Sequence, residues 1–213
     1  MLTGLDDITA RIRAEFDLLD AAREGAYVAS RQVIRASSET IKRTHRGELA
    51  EAQAGLAETR ELCHMMLAHV KNAPEIRYGG FVSDAEKEYA EAAIVYATLT
   101  GAPLPSPEDL GIYGAAWLNG LAEVVGEYRR HVLDSIRMDD NEAAERYLDA
   151  METLYQTIMS FDYPNAISLG LRGRSDAARG MVERTRGDLT TALRAGKLEK
   201  KMRELEEKLG AAG

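Results

Sequence analysis

The sequence predicts an all-α protein built as a bundle of six to seven helices. Three observations carry this. Apolar residues recur every three to four positions over long stretches, the signature of a buried helix stripe. No stretch reads as a strand, and short β-branched groups such as Val124-Val125 sit inside helical periodicity. Alanine, glutamate, leucine and arginine are plentiful, whereas prolines number only five in 213 residues, a composition that favours helix.

The first segment runs from about Asp6 to Thr44, with Ile8, Ile12, Phe16 and Leu19 at helical spacing. A second runs from about Glu48 to Val70, with Leu56, Leu62, Met66 and Val70 on its inner side; Gly47 either marks the joint or lies within one helix that continues through it. Residues 73–82 contain Pro74, Gly79 and Gly80 and read as a loop. Ser83 followed by Glu86 reads as a capping box that opens the third helix. Gly101-Ala102-Pro103-Leu104-Pro105 ends it. Ser106-Pro107-Glu108-Asp109 is a start signal: a cap, a proline in the first turn, then acids facing the positive end of the helix dipole. The fourth helix then reaches about Met138, and Asp139-Asp140-Asn141 turns the chain into a fifth ending near Phe161. Asp162-Tyr163-Pro164-Asn165 breaks that helix, and a sixth covers about 166–194. No composition break divides residues 1–196, which are expected to form a single domain. Residues 197–213 read as an amphipathic tail, with Leu198, Met202, Leu205 and Leu209 at heptad-like spacing. Apolar faces this long call for other helices as partners, including those of other subunits.

The formal net charge of −8 argues against an open basic surface for duplex DNA, though it leaves room for a local basic groove. A single cysteine, Cys63, rules out an internal disulfide and fits a reducing compartment. No signal-peptide pattern opens the chain and no apolar run would span a bilayer, so the expectation is a cytoplasmic protein with no membrane partner.

Four carboxylates stand out because their surroundings carry so little charge. Glu88 and Glu91 are three residues apart, and Glu91 is the only charged residue from Tyr89 to Pro107. Glu123 and Glu127 are four apart and follow an uncharged run from Gly111 to Ala122. Either spacing puts both acids on one helix face. Buried carboxylates need neutralising, and oxygen-only donors suit hard cations such as Mg²⁺ or Mn²⁺. Ion pairing or simple solvation are the alternatives, and solvation fits Glu88 best, since Glu86 and Lys87 flank it. A di-iron bundle needs Glu-x-x-His on two helices, and none of His45, His64, His69 or His131 follows a glutamate at that spacing. Gly120 and Gly126, inside a helix at about 1 kcal/mol each relative to alanine, point to a close approach by a neighbouring helix or a substrate backbone.

Two rows of cations complete the pattern. Arg31, Arg35, Lys42 and Arg46 share one face of the first helix, with Arg43 beside them; Arg172, Arg179 and Arg186 are seven apart on the last. Such rows are either solvated faces or a track for a phosphate backbone.

The order of several segments resembles the translin family, and within it the translin-associated factor X (Trax) branch. Trp117-Leu118-Asn119-Gly120-Leu121-Ala122-Glu123-Val124-Val125-Gly126-Glu127 is similar to that branch's "YL-G-ADLTGEL-R" stretch, and Glu88-Tyr89-Ala90-Glu91-Ala92 to its "EYVEA" segment. Residues 37–46 resemble the end of the family's first long helix. Phe161-Asp162-Tyr163-Pro164 and the arginine-rich helix after it resemble the family's final segment. The resemblance covers roughly residues 5–195. It implies a hollow homo-oligomeric barrel, an octamer, that takes single-stranded RNA inside, with DNA as a further ligand class. It also implies an Mg²⁺-dependent endoribonuclease whose catalytic and metal-binding acids match Glu88, Glu91, Glu123 and Glu127. Arg31, Arg35, Lys42, Arg43, Arg46, Arg172 and Arg179 are the expected RNA-binding residues. The alternative is a non-catalytic translin-like oligomer that only binds single-stranded RNA or DNA. At position 123 the family pattern carries aspartate, and the longer glutamate here alters the reach of one ligand.

Overall fold

The computed structural model describes residues 3–210. Among them there are helices and connections but no strands, as expected from the periodicity. Six helices are long: α1 (Leu5–His45), α2 (Leu49–His69), α4 (Gly80–Thr100), α6 (Gly114–Arg137), α7 (Asn141–Met159) and α9 (Leu171–Gly210). Three single-turn helices punctuate them: α3 (Pro74–Arg77), α5 (Pro107–Leu110) and α8 (Asn165–Ser168). No helix is long and apolar enough to cross a membrane, among the described residues.

Most boundaries follow local chemistry. Asp6 and Asp7 lie in the first turn of α1 and Lys42, Arg43 and His45 in its last, each complementing the helix dipole. Gly47, with φ 74°, turns the chain into α2. The Ser106 hydroxyl accepts from the Asp109 amide (3.1 Å) and the Asp109 carboxylate from the Ser106 amide (2.9 Å), a complete capping box. That helix stops after one turn at Gly111, whose φ of 68° suits glycine, so the expected fourth helix is split into α5 and α6. The Asp140 side chain caps α7 through the Ala143 amide at 2.9 Å.

Two expectations are corrected. The third helix starts at Gly80, and Ser83 lies inside it, its hydroxyl turned back to the Gly79 carbonyl (3.5 Å). Glu86 therefore caps nothing; it is buried and held by Arg77. The sixth helix does not end near Arg194. α9 continues through Gly196 to Gly210, so the expected tail boundary falls inside one helix, and residues 211–213 of that tail lie outside the described residues.

The chain forms two compact units that divide after Leu121. In the first, α1, α2 and α4 pack through small and β-branched residues: Ala26, Ala29 and Val33 of α1, Cys63 and Met66 of α2, and Val82, Ala85, Tyr89, Ala90 and Ala93 of α4. Small side chains bring the axes close. Gly55 of α2 lies against Thr40 of α1, where a Cβ would stand 2.5 Å from the Thr40 hydroxyl oxygen. In the second unit α7 and α9 pack along each other. Leu148, Met151 and Ile158 of α7 and Leu171, Ala178, Val182 and Leu189 of α9 are buried. Full burial of each large aliphatic side chain contributes about 1.5–3 kcal/mol. The apolar stripes of the first turns of α1 (Leu5, Ile8, Ile12 and Phe16) and of the last turns of α9 remain exposed in the protomer.

Candidate functional site

In the first unit α4 carries Glu88 and Glu91 at mid-helix. Glu91 is buried, only 8% exposed. Glu88 is half-buried and paired with the Lys87 ammonium at 2.7 Å. Glu86, one turn before Ala90, is fully buried at 0% exposure. Its carboxylate takes both arms of the Arg77 guanidinium, at 2.7 and 3.1 Å, and the Tyr113 amide at 3.3 Å. Burial pushes this carboxyl above the usual glutamate range, against Arg77 and the Tyr113 amide, which pull it down. Arg77 follows the Pro74-initiated turn α3, so a residue of the loop before α4 reaches in to neutralise an acid of α4. Tyr89, between the two outer acids, is buried and its phenolic oxygen accepts from Arg60 of α2 at 3.3 Å.

The backbone of α6 touches α4 at this point. A Cβ on Gly120 would stand 2.7 Å from the Lys87 carbonyl oxygen, 2.8 Å from the Ala90 Cβ and 3.0 Å from the Glu91 nitrogen. No side chain fits there. This is the close approach that the mid-helix glycine implied. Nearby, the Trp117 indole N–H donates to the Pro105 carbonyl at 2.9 Å and ties the segment before α5 to α6.

In the second unit Glu123 and Glu127 are partly exposed along α6, with Val124 and Val125 buried between them. Arg174 of α9 donates from Nε to Glu123 at 3.0 Å. Gly126 meets only the Met181 sulfur, at 3.7 Å from its would-be Cβ, so here ordinary packing replaces the expected close approach. His131 stacks on Tyr147, with centroids 4.8 Å apart. Within either unit, among the described residues, no three His, Cys, Asp or Glu side chains form a group that could hold a metal ion. The four acids supply only oxygen donors, the set that hard divalent cations prefer. Their chemistry fits Mg²⁺ or Mn²⁺, while Lys87 and Arg174 compete for two of them.

The cation rows divide by their surroundings. Arg31, Arg35 and Lys42 are exposed along α1 and line a cleft of about 610 Å³ with Ile34, Ser38 and Glu39. Among the described residues these three make no ion pair. Arg43 and Arg46 are instead drawn to acids: Arg43 to Glu39 at 3.3 Å, Arg46 to Glu48 at 2.8 Å and to Glu39 at 3.6 Å. In the second unit Arg172 and Arg179 line a cleft of about 410 Å³ with Phe161, Tyr163 and Asp176. Arg179 leans on Asp176 at 3.8 Å, and Arg186 is taken by Glu152 at 2.6 Å. The sequence reading missed Arg77, Arg174 and the two aromatics of this cleft. Arg174 lay within the arginine-rich stretch, but nothing local distinguished it from its neighbours.

An all-α fold packed through small residues, with two carboxylate pairs on α4 and α6 and cationic clefts on the first and last long helices, is the arrangement that the resemblance to translin-type proteins implies. No family model matches the chain. It is 31% identical over 189 residues to the uncharacterized protein MJ0175 of Methanocaldococcus jannaschii, which spans 88% of this chain and 83% of that protein. Its structure matches AfC3PO with a TM-score of 0.77 at 33% identity, covering 88% of this chain and 97% of that one. The AfC3PO–duplex RNA complex matches with a TM-score of 0.78 over the same shares at the same identity. The likeness to apo-NeC3PO, with a TM-score of 0.76 at 20% identity over 90% of this chain and 98% of that one, shows the shared fold alone. The chain belongs to the translin family, with the archaeal C3PO proteins among its relatives.

Proposed function

We propose that this chain is an Mg²⁺-dependent endoribonuclease that cleaves single-stranded RNA inside a homo-octameric barrel. The single observation that carries the reading is the acid pair in each unit, Glu88 and Glu91 on α4 and Glu123 and Glu127 on α6, with Glu91 buried and all four offering only oxygen donors. A 33%-identical relative described in complex with duplex RNA supports nucleic acid as the ligand class.

Glu88, Glu91, Glu123 and Glu127 would hold the metal, Mg²⁺ or in its place Mn²⁺. Bound there, it would supply an activated water and charge stabilisation at the phosphate. The chain's own part is electrostatic and positional. Arg31, Arg35, Lys42 and Arg172 offer guanidinium and ammonium groups to backbone phosphates, with Arg43, Arg46 and Arg179 available once phosphate competes with their acidic neighbours. Lys87 and Arg174, now on Glu88 and Glu123, hold those carboxylates in place while no metal is present. An interior location would reconcile phosphate binding with the net charge of −8.

The test is cleavage of a single-stranded RNA in Mg²⁺, wild type against Glu127→Ala. A loss of one hundredfold or more supports the reading, and equal rates refute it. One observation favours a second reading. Glu88 and Glu123 each already have a cation, which suits a non-catalytic oligomer that only binds single-stranded RNA or DNA. That protein would bind RNA with strong salt dependence and cleave nothing in either metal.

A further inference from the structure

The last turns of α9 carry an apolar stripe that its own unit does not use. Up to Leu189 the helix buries one face: Leu171, Ser175, Ala178, Val182, Thr185 and Leu189. Beyond Gly196 the apolar residues are Leu198, Met202, Leu205 and Leu209, between 54% and 66% exposed. At 100° per residue these four lie about 160–220° round the helix from Leu189. The stripe has changed sides, so it does not continue the seam against α7.

Its spacing is four, three, four, which places Leu198 and Leu205 at d and Met202 and Leu209 at a of a heptad, with Ala195 at the preceding a. The flanking positions then separate by sign. Arg194, Lys201 and Lys208 fall at g, and Glu199 and Glu206 at e. In a parallel pair of identical helices each g residue faces the e residue five positions later on its partner. Arg194 would meet Glu199 of a second copy, and Lys201 would meet Glu206. In an antiparallel pair g faces g and e faces e, which sets lysine against lysine and glutamate against glutamate. The existing contacts of these charges, Lys201 with Glu204 at 2.8 Å and Arg203 with Glu199 at 3.8 Å, are exposed same-helix pairs that hold little and can exchange.

We propose that residues 195–209 of α9 dock in parallel and in register on the same segment of a second copy of this chain. Two heptads are short for a free coiled coil. Within an oligomer the segments are tethered at high effective concentration, which supplies what their length does not. The docking is independent of the nuclease reading and would hold equally in a non-catalytic oligomer.

The test uses the full-length chain with single cysteines, Leu198→Cys and Leu209→Cys, and Glu207→Cys on the outer face as control. The buried native Cys63, its thiol pushed up to about 12, gives no background. Under mild oxidation the two stripe variants should each give disulfide-linked dimers on non-reducing gels, at least tenfold more than the control. Arg194→Glu with Lys201→Glu, placed in either cysteine variant, should cut the yield several-fold. Adding Glu199→Lys and Glu206→Lys should restore it. Cross-linking only in a mixture of Leu198→Cys with Leu209→Cys chains would mean antiparallel pairing and overturn the proposal. So would equal yields at all three positions, or none. Loss of RNA binding in the charge variants without selective cross-linking would reassign the stripe's flanking cations to nucleic acid and equally overturn it.

Discussion

Gly120 and Gly126 form a matched pair on α6, and substituting alanine at each isolates the helix contact at the carboxylates. The intrinsic helix gain is the same for both, about 0.8–1 kcal/mol. At Gly126 the new Cβ meets only the Met181 sulfur at 3.7 Å, an ordinary contact, so Gly126→Ala should be stabilising by about 0.5–1 kcal/mol. At Gly120 the new Cβ would lie 2.7 Å from the Lys87 carbonyl oxygen and 2.8 Å from the Ala90 Cβ. Both atoms belong to α4 at or next to its backbone, so no rotamer change relieves them. The helices must separate by several tenths of an ångström, and overpacking of this kind costs about 1–3 kcal/mol. Gly120→Ala should therefore fall about 1–3 kcal/mol below Gly126→Ala. Thermal and urea unfolding at one fixed protein concentration read this difference without reliance on either absolute value. Because the displacement acts on the segment from Lys87 to Glu91, the proposed nuclease function has the further consequence that Gly120→Ala should lose RNA cleavage that Gly126→Ala retains. Equal stability of the two variants would refute the close approach.

Three further outcomes follow from named contacts. Glu86→Gln removes the charge that the Arg77 guanidinium grips inside the first unit and should destabilise by about 3 kcal/mol in urea unfolding; an unchanged midpoint would mean that the pair is not buried in solution. Burial and the nearby Glu86 carboxylate push the Cys63 thiol up to about 12, so at pH 8 only ~1 part in 10,000 is thiolate. A thiol reagent should react with the native protein orders of magnitude more slowly than with the urea-unfolded chain, and comparable rates would contradict the burial. For RNA, the slope of log K against log salt should fall by about 0.7 for each phosphate contact removed. Arg31→Ala and Arg35→Ala should each lower it, whereas Arg186→Ala, whose guanidinium is already held by Glu152, should leave it unchanged.

What was legible in the sequence is what local chemistry decides. The Ser106 capping box, the glycine stop at Gly101 with φ 73° and the Asp140 cap all lie where the residue types place them, because each rests on contacts within four residues. The split of the fourth helix was harder to see. Gly111 can be accommodated in a helix or end one, and here it adopts φ 68° while Tyr113 gives its amide to Glu86, an acid 27 residues away. The exposed stripes of α1 and α9 were legible as apolar, but periodicity alone does not distinguish a stripe buried in its own unit from one left for another chain.

Glu86 shows most clearly where reading from pattern fails and why. The criterion that singled out Glu91 was an apolar flank, and Glu91 is indeed buried. The same criterion passes over Glu86, which sits between Asp84 and Lys87 and looks like a solvated acid at a helix start. It is nonetheless more buried than Glu91. Flanking residues report on the helix face, whereas burial of an acid depends on whether a counter-ion can reach it. For Glu86 that counter-ion arrives from Arg77, across the turn at Gly79 and Gly80. A charge-poor flank therefore finds acids whose neutraliser is not in the adjacent sequence, such as a metal ion or a distant arginine. It misses acids neutralised from a preceding loop. By that logic Glu123, whose partner Arg174 lies 51 residues away, belongs with Glu91 among the acids that pattern could find, although pattern could not say that an arginine rather than a cation from solution would be its neighbour.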